Sequence, residues 1–224
     1  TGLRMQALDQ AHVSLCAMHI DRNAFTSYDC KKELVLGLNL PALSKIIKCV
    51  GNDDSVEISA NNSEDICVFR FCSESQEKVI EFKMRLMMVD SDYLEVPDCE
   101  FDAEVKLPSS HFLRIIRDLA AMNDTCSIDI KPESVCFSID GDTGEAQITL
   151  TSGEEEGVEI RADRLISLSF ALRYISLFTK ATPLSEFVTI GFSESAPMRV
   201  AFQIDDDDSH ISFYLAPKLD DEEE

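Results

Sequence analysis

Residues 78–97 read KVIEFKMRLMMVDSDYLEVP, a strand that becomes a linker with no turn between the two. In its first part Ile80, Phe82, Met84 and Leu86 alternate with Glu81, Lys83 and Arg85, the period-two pattern of a strand with one buried face. The pattern then breaks. Met87, Met88, Val89, Tyr93, Leu94 and Val96 mix with Asp90, Asp92 and Glu95 as far as Pro97, a setting too polar to bury them all. The stretch is therefore expected to end as a connector carrying an exposed apolar strip, the usual mark of a docking surface.

Two copies of one pattern flank it. Residues 41–50, PALSKIIKCV, place Leu43, Ile46, Ile47 and Val50 at i, i+3, i+4 and i+7. Residues 108–119, PSSHFLRIIRDL, do the same with Phe112, Ile115, Ile116 and Leu119. Each is one apolar face of an amphipathic helix. Lys45 and Lys48 in the first copy match Arg114 and Arg117 in the second. Both helices follow a strand-like run and stop near Asn and Asp. Both lead into new alternation, at Val56 and Ile58, and at Cys126, Ile128 and Ile130. The spacing predicts a third helix over residues 169–180, SFALRYISLFTK, with Phe170, Tyr174, Leu177 and Phe178 as its stripe and Arg173 and Lys180 on another face.

Further strands are expected at 13–20, 33–40, 66–71, 136–139, 146–150, 158–160, 187–192, 199–204 and 211–215. Many strands with a few helices make an α+β layered architecture.

The net charge of −22 argues, as a sum, against nucleic acid. Its distribution argues the other way. The three helices carry six basic residues and a single acid, Asp118, in a chain with 42 acidic and 20 basic residues. Basic helix faces have been kept and acid kept off them.

At 224 residues the chain has ample material for a core. It has no apolar run that would span a bilayer and no leader-type segment, and its start at Thr1 suggests a processed or trimmed chain. Eight cysteines (Cys16, Cys30, Cys49, Cys67, Cys72, Cys99, Cys126, Cys136) form no CxxC pair and are expected to be reduced, buried thiols of an intracellular protein. The four histidines show no zinc spacing, and His12, in AHVSL, reads as a structural residue. Of the acidic runs at 154–156, 205–208 and 220–224, the first two read as loop tips and the last as a tail. The run at 205–208 lacks the glycine and ligand spacing of a calcium loop. Phosphate-binding glycine loops, HExxH and GxSxG do not occur, so neither catalysis nor a cofactor is expected.

SKIIKC (44–49), KMRLM (83–87), FALRY (170–174), FTKATPLS (178–185) and YLAPK (214–218) together resemble the proliferating cell nuclear antigen family, the eukaryotic DNA sliding clamps. The resemblance runs in order along essentially the whole chain. It implies the DNA-clamp fold, with domains over 1–85 and 100–224 and a connector over 86–99. It also implies three copies joined head to tail in a homotrimeric ring, helices lining the hole and sheets outside.

By the same resemblance Lys45, Lys48, Arg114, Arg117, Arg173 and Lys180 would face double-stranded DNA. Contacts to phosphate carry no sequence information, which suits a sliding ring. Leu8, His12, Val13, Leu15, Leu94, Val96, Pro97, Pro197, Tyr214, Ala216 and Pro217 would form the pocket for a partner peptide bearing a glutamine, an aliphatic plug and paired aromatics, the PIP box. DNA polymerase, flap nuclease and ligase would be its carriers. Ile80, Phe82 and Met84, on the strand at 77–85, would meet Ala146, Ile148 and Leu150 of the next copy, on the strand at 143–150. The resemblance further implies an ATP-dependent clamp loader and residence in the nucleus, with no membrane partner.

There are two departures. The family begins with a strand and a basic helix that have no counterpart before Thr1, so the first domain is expected to lack part of its sheet and one DNA-facing helix. The family's modified lysine falls at Pro132, leaving Lys131 beside it as the candidate acceptor. A rival reading is a clamp-derived scaffold that binds peptides without encircling DNA.

Overall fold

The computed structural model describes residues 2–61, 64–89, 100–141, 144–204 and 208–218. The chain forms two compact units, one of Thr1–Tyr28 with Leu94–Glu224 and one of Asp29–Tyr93.

The larger unit opens with a hairpin, β1 (Gly2–Leu8) and β2 (Ser14–Asp21), and a short 3-10 turn at Arg22–Ala24. The smaller holds α1 (Leu40–Ile47), β3 (Ser55–Ala60), β4 (Ile66–Cys72) and β5 (Val79–Arg85). The larger resumes with β6 (Ala103–Pro108), α2 (Ser109–Ala120), β7 (Thr125–Lys131), β8 (Ser134–Gly141) and β9 (Gly144–Thr151). Next come β10 (Glu159–Ala162), β11 (Ile166–Ala171), α3 (Leu172–Phe178) and a 3-10 segment at Thr179–Leu184. Three strands close it, β12 (Phe187–Phe192), β13 (Met198–Gln203) and β14 (His210–Leu215).

One motif recurs. A helix followed by three consecutive antiparallel strands appears as α1 with β3-β4-β5, as α2 with β7-β8-β9 and as α3 with β12-β13-β14. In the larger unit the strands form a seven-stranded sheet, β1-β2-β14-β13-β12-β6-β10, and a four-stranded one, β11-β7-β8-β9. Its core joins Phe112, Ile116 and Leu119 of α2 to Ile128, Ile130 and Phe137 of the smaller sheet and Val188, Val200 and Phe202 of the larger. Each such side chain contributes about 1.5–3 kcal/mol through burial.

The smaller unit is built on far less. Cys67, Phe69, Phe71 and Met84 are its buried apolar residues among those described, and α1 buries no residue fully. Local chemistry still defines that helix. Asn39 caps it by accepting from the Ala42 amide at 2.9 Å, and Pro41 lies in its first turn.

Several expectations are corrected. Residues 33–39 form no strand, and among the described residues their backbone meets β5's continuation where the Met87 amide donates to the Gly37 carbonyl at 2.8 Å. The approach there is so close that a Cβ on Gly37 would collide with the Met87 carbonyl. The third helix starts at Leu172, because residues 169–171 belong to β11. Its buried residues are therefore Leu172, Ile175 and Phe178, and Leu177 stays 54% exposed. On α1, Ile47 is also 54% exposed, because the small core beneath leaves it nothing to cover. His12 sits exposed in the β1–β2 turn at φ 58 rather than in a strand.

The cysteines do not share one setting. Cys67 and Cys126 are buried, Cys30 and Cys49 are exposed, and Cys99 lies outside the described residues. Burial pushes the Cys126 thiol up to about 12 and Cys16 up to about 11, so both stay protonated at neutral pH.

By their contacts residues 1–28 group with the larger unit. The cause is β2, which pairs with β14 from Ser14↔Leu215 to His19↔His210.

Candidate functional site

In the larger unit α2 and α3 lie side by side and spend their apolar faces on the core. Helical geometry then leaves Arg114, Arg117 and Arg173 on the exposed side, with Lys180 in the following 3-10 segment. Arg117 and Lys180 line one groove of about 630 Å³ together with Leu113, Ala120 and Pro183. Asp118 sits among these cations. Its carboxylate accepts from Arg117 Nη2 at 2.8 Å and lies 3.8 Å from Arg114 Nε. Such solvent-facing pairs contribute at most about 1 kcal/mol each. Arg173 stacks over the Tyr174 ring at 4.9 Å. In the smaller unit Lys45 and Lys48 are exposed at the C-terminal end of α1, where the helix dipole favours cations.

The seven-stranded sheet carries a second feature on the face opposite its core. Register brings Leu8, Leu15, Tyr214, Arg199, Gly191, Glu104 and Arg161 into one unbroken cross-strand row. Three members of the expected peptide pocket, Leu8, Leu15 and Tyr214, are thus side-by-side neighbours on β1, β2 and β14. Pro197 precedes β13, and Ala216 and Pro217 follow β14, with the Ala216 amide donating to the Val13 carbonyl at 3.0 Å. Leu8 and Val13 are 40% and 37% exposed.

The turn that presents His12 and Val13 is held by Asp9. Its carboxylate accepts from the amides of Val13 and Ser14 at 2.8 Å each and of Ala11 at 3.2 Å, and from the Tyr174 hydroxyl at 3.1 Å. The Ser14 amide above all, helped by the other donors, holds this carboxyl below its ordinary value against the opposing effect of desolvation.

Leu94, Val96 and Pro97 lie outside the described residues. In the described part of the connector Leu86 packs on the smaller core, whereas Met87, Met88 and Val89 are strongly exposed.

β5 and β9 end their sheets. Ile80, Phe82 and Met84 pack on the smaller unit's own core, and Ala146, Ile148 and Leu150 on the larger unit's. Those side chains face inward, so each edge offers a neighbour its main chain. Lys131 is exposed at the end of β7, opposite Ser134. Among the described residues no three His, Cys, Asp or Glu side chains group to hold a metal ion, and no helix is long and apolar enough to cross a membrane.

Repeated helix-and-meander units, with cations on the free side of the helices and broad sheets behind them, define the α+β DNA-clamp fold. The model of the proliferating cell nuclear antigen N-terminal domain matches residues 1–94, and that of its C-terminal domain matches residues 95–218. The chain belongs to the proliferating cell nuclear antigen family of sliding clamps. That family is a non-enzymatic clamp of DNA replication and repair, which encircles DNA and carries protein partners.

Arg199, Gly191 and Phe101, central to the row or packed on it, were absent from the sequence reading. Arg199 entered it only as the first position of the strand expected at 199–204. Its adjacency to Tyr214 depends on strand register, which no local pattern contains.

Proposed function

We propose that the chain works as a ring-shaped processivity factor for replicative DNA polymerase and as a docking platform for replication and repair proteins in the nucleus. Three copies join head to tail, the β5 edge of one pairing with the β9 edge of the next, which would satisfy both open edges and close a ring. Each copy contributes two clamp domains, 1–85 and 100–224, joined by the connector at 86–99. An ATP-dependent loader opens the ring onto duplex DNA. Lys45, Lys48, Arg114, Arg117, Arg173 and Lys180 meet the phosphates. Leu8, His12, Val13, Leu15, Pro197, Tyr214, Ala216 and Pro217, with Leu94, Val96 and Pro97 of the connector, receive the PIP box of polymerase, flap nuclease and ligase. Lys131 serves as the ubiquitin acceptor.

The observation that carries this reading is the exposure of all six cations on helices in a chain of net charge −22. Charge reversal of Arg114 and Arg117 tests it. The expected result is loss of DNA-dependent polymerase stimulation with client-peptide binding intact; unchanged stimulation would overturn the clamp mechanism.

One observation favours a second reading, a peptide-binding scaffold that does not encircle DNA. Among the described residues the smaller unit has only four buried apolar side chains to hold the β5 edge in shape. A chain that stayed monomeric while binding peptide would establish it.

A further inference from the structure

We propose that the partner groove continues along the cross-strand row past Tyr214 to Arg199, which takes a carboxylate side chain of the client peptide beyond its aromatic plug. This rests on the peptide-pocket reading above and extends it to a determinant of specificity.

Arg199 is the next residue in the row after Tyr214. Its guanidinium carbon lies 4.6 Å from the centre of the Phe101 ring. The ring occupies the place that a side chain on Gly191 would take, since a Cβ there would come within 2.6 Å of it. Gly191 therefore seats Phe101, and Phe101 supports Arg199. A guanidinium stacked in this way is already ordered before a ligand arrives, so binding loses less side-chain freedom.

The hydrogen-bond ledger around it points to a missing acceptor. Asp102 is engaged, accepting from the Ser193 hydroxyl at 2.8 Å with Arg164 Nη2 at 3.8 Å. Glu194 is engaged by Arg164 Nη1 at 2.9 Å. Arg199 is not comparably served. Its nearest carboxylate, Glu104, is 3.6 Å from Nη2, too far for a good N–H···O bond. Its Nε is buried without a partner, so the open edge of this 30% exposed side chain is its two Nη nitrogens. Arg161, at the end of the row, is exposed and makes no ion pair among the described residues. These groups line a shallow cavity of about 450 Å³ with Phe101, Glu104 and Asp163. Arginine recognises a carboxylate through paired, charge-assisted hydrogen bonds, and an incoming lysine would meet two arginines instead.

The test is calorimetry on the full chain with synthetic PIP-box peptides, identical except for Glu or Gln at each position flanking the aromatic pair. The wild type should prefer one Glu peptide over its Gln twin by roughly tenfold, the size expected of a single charged hydrogen-bonding contact. In Arg199→Gln that preference should vanish while the Gln peptide binds as before. In Glu104→Gln, which removes the competing carboxylate, the preference should widen. A wild type indifferent to Glu at every position overturns the proposal, as does a preference that survives in Arg199→Gln. Failure of every peptide to bind the wild type overturns the pocket reading itself and this extension with it.

Discussion

The Tyr174 hydroxyl donates to the Asp9 carboxylate at 3.1 Å, tying the helix that carries Arg173 to the turn that presents His12 and Val13. Helix α3 and the β1–β2 turn are thus one hydrogen-bonded unit. Tyr174→Phe should loosen the turn, seen as faster amide exchange at Val13 and Ser14, and weaken client-peptide binding. Unchanged exchange would show that the three backbone amides hold Asp9 without help.

The same carboxylate makes the turn pH-dependent in one direction. Asp9 is held below the free-carboxyl value of 3.8, so it binds its proton less readily folded than unfolded. Its contribution is therefore present in full above that value and fades as the pH falls below it. Asp9→Asn should be less stable than the parent at neutral pH, and the two melting curves should converge under acid. A gap constant down to the most acid pH at which both fold would rule out this linkage.

Asp118 restrains the basic face. Removing it in Asp118→Ala frees Arg114 and Arg117, now 3.8 Å and 2.8 Å from its carboxylate. DNA affinity should rise, and the dependence of log K on log salt should steepen by about 0.9 for each phosphate newly neutralised. Anisotropy of labelled duplex across a salt series measures this. A slope that stays flat would mean that Asp118 also organises the arginines.

How much of this was legible in the sequence differs from element to element. On α2, period and burial coincide, and Phe112, Ile115, Ile116 and Leu119 are all buried as the spacing indicates. The third helix blurred because Phe170, a strand residue, is as buried as Leu172, Ile175 and Phe178 of the helix that follows it. Strand alternation and helical period then ran together across FALRY. The basic positions were legible one by one, because exposed cations interrupt an apolar stripe at regular steps. The row from Leu8 to Arg161 was not, since it crosses seven strands whose order follows neither sequence nor spacing. Resemblance supplied the pocket residues. Arg199 and Gly191 lie in the same row but outside that resemblance.

The smaller unit should open first. Phe71→Ala removes one of the four buried apolar side chains among its described residues and should cost about 3–5 kcal/mol. For a core this small the loss should strip exchange protection from β3, β4 and β5 while β12 and β13 keep theirs. Uniform loss throughout the chain would mean that the two units fold as one.

The proposed head-to-tail ring would depend on main chain rather than side chain, because Ile148 and Phe82 both pack inward on their own units. Proline separates the two roles. At positions of β9 whose amide points away from β8 the fold tolerates proline, whereas a neighbour seeking that amide does not. A proline scan of positions 146–149 should therefore contain variants that stay folded by circular dichroism yet lose assembly. Light scattering over a dilution series reads the outcome. The parent should run at three times the 25.0 kDa chain and the tolerated variants at one. Folded proline variants that all remain trimeric would move the subunit contact away from β9, and a parent that is monomeric throughout would leave the peptide-binding scaffold as its function.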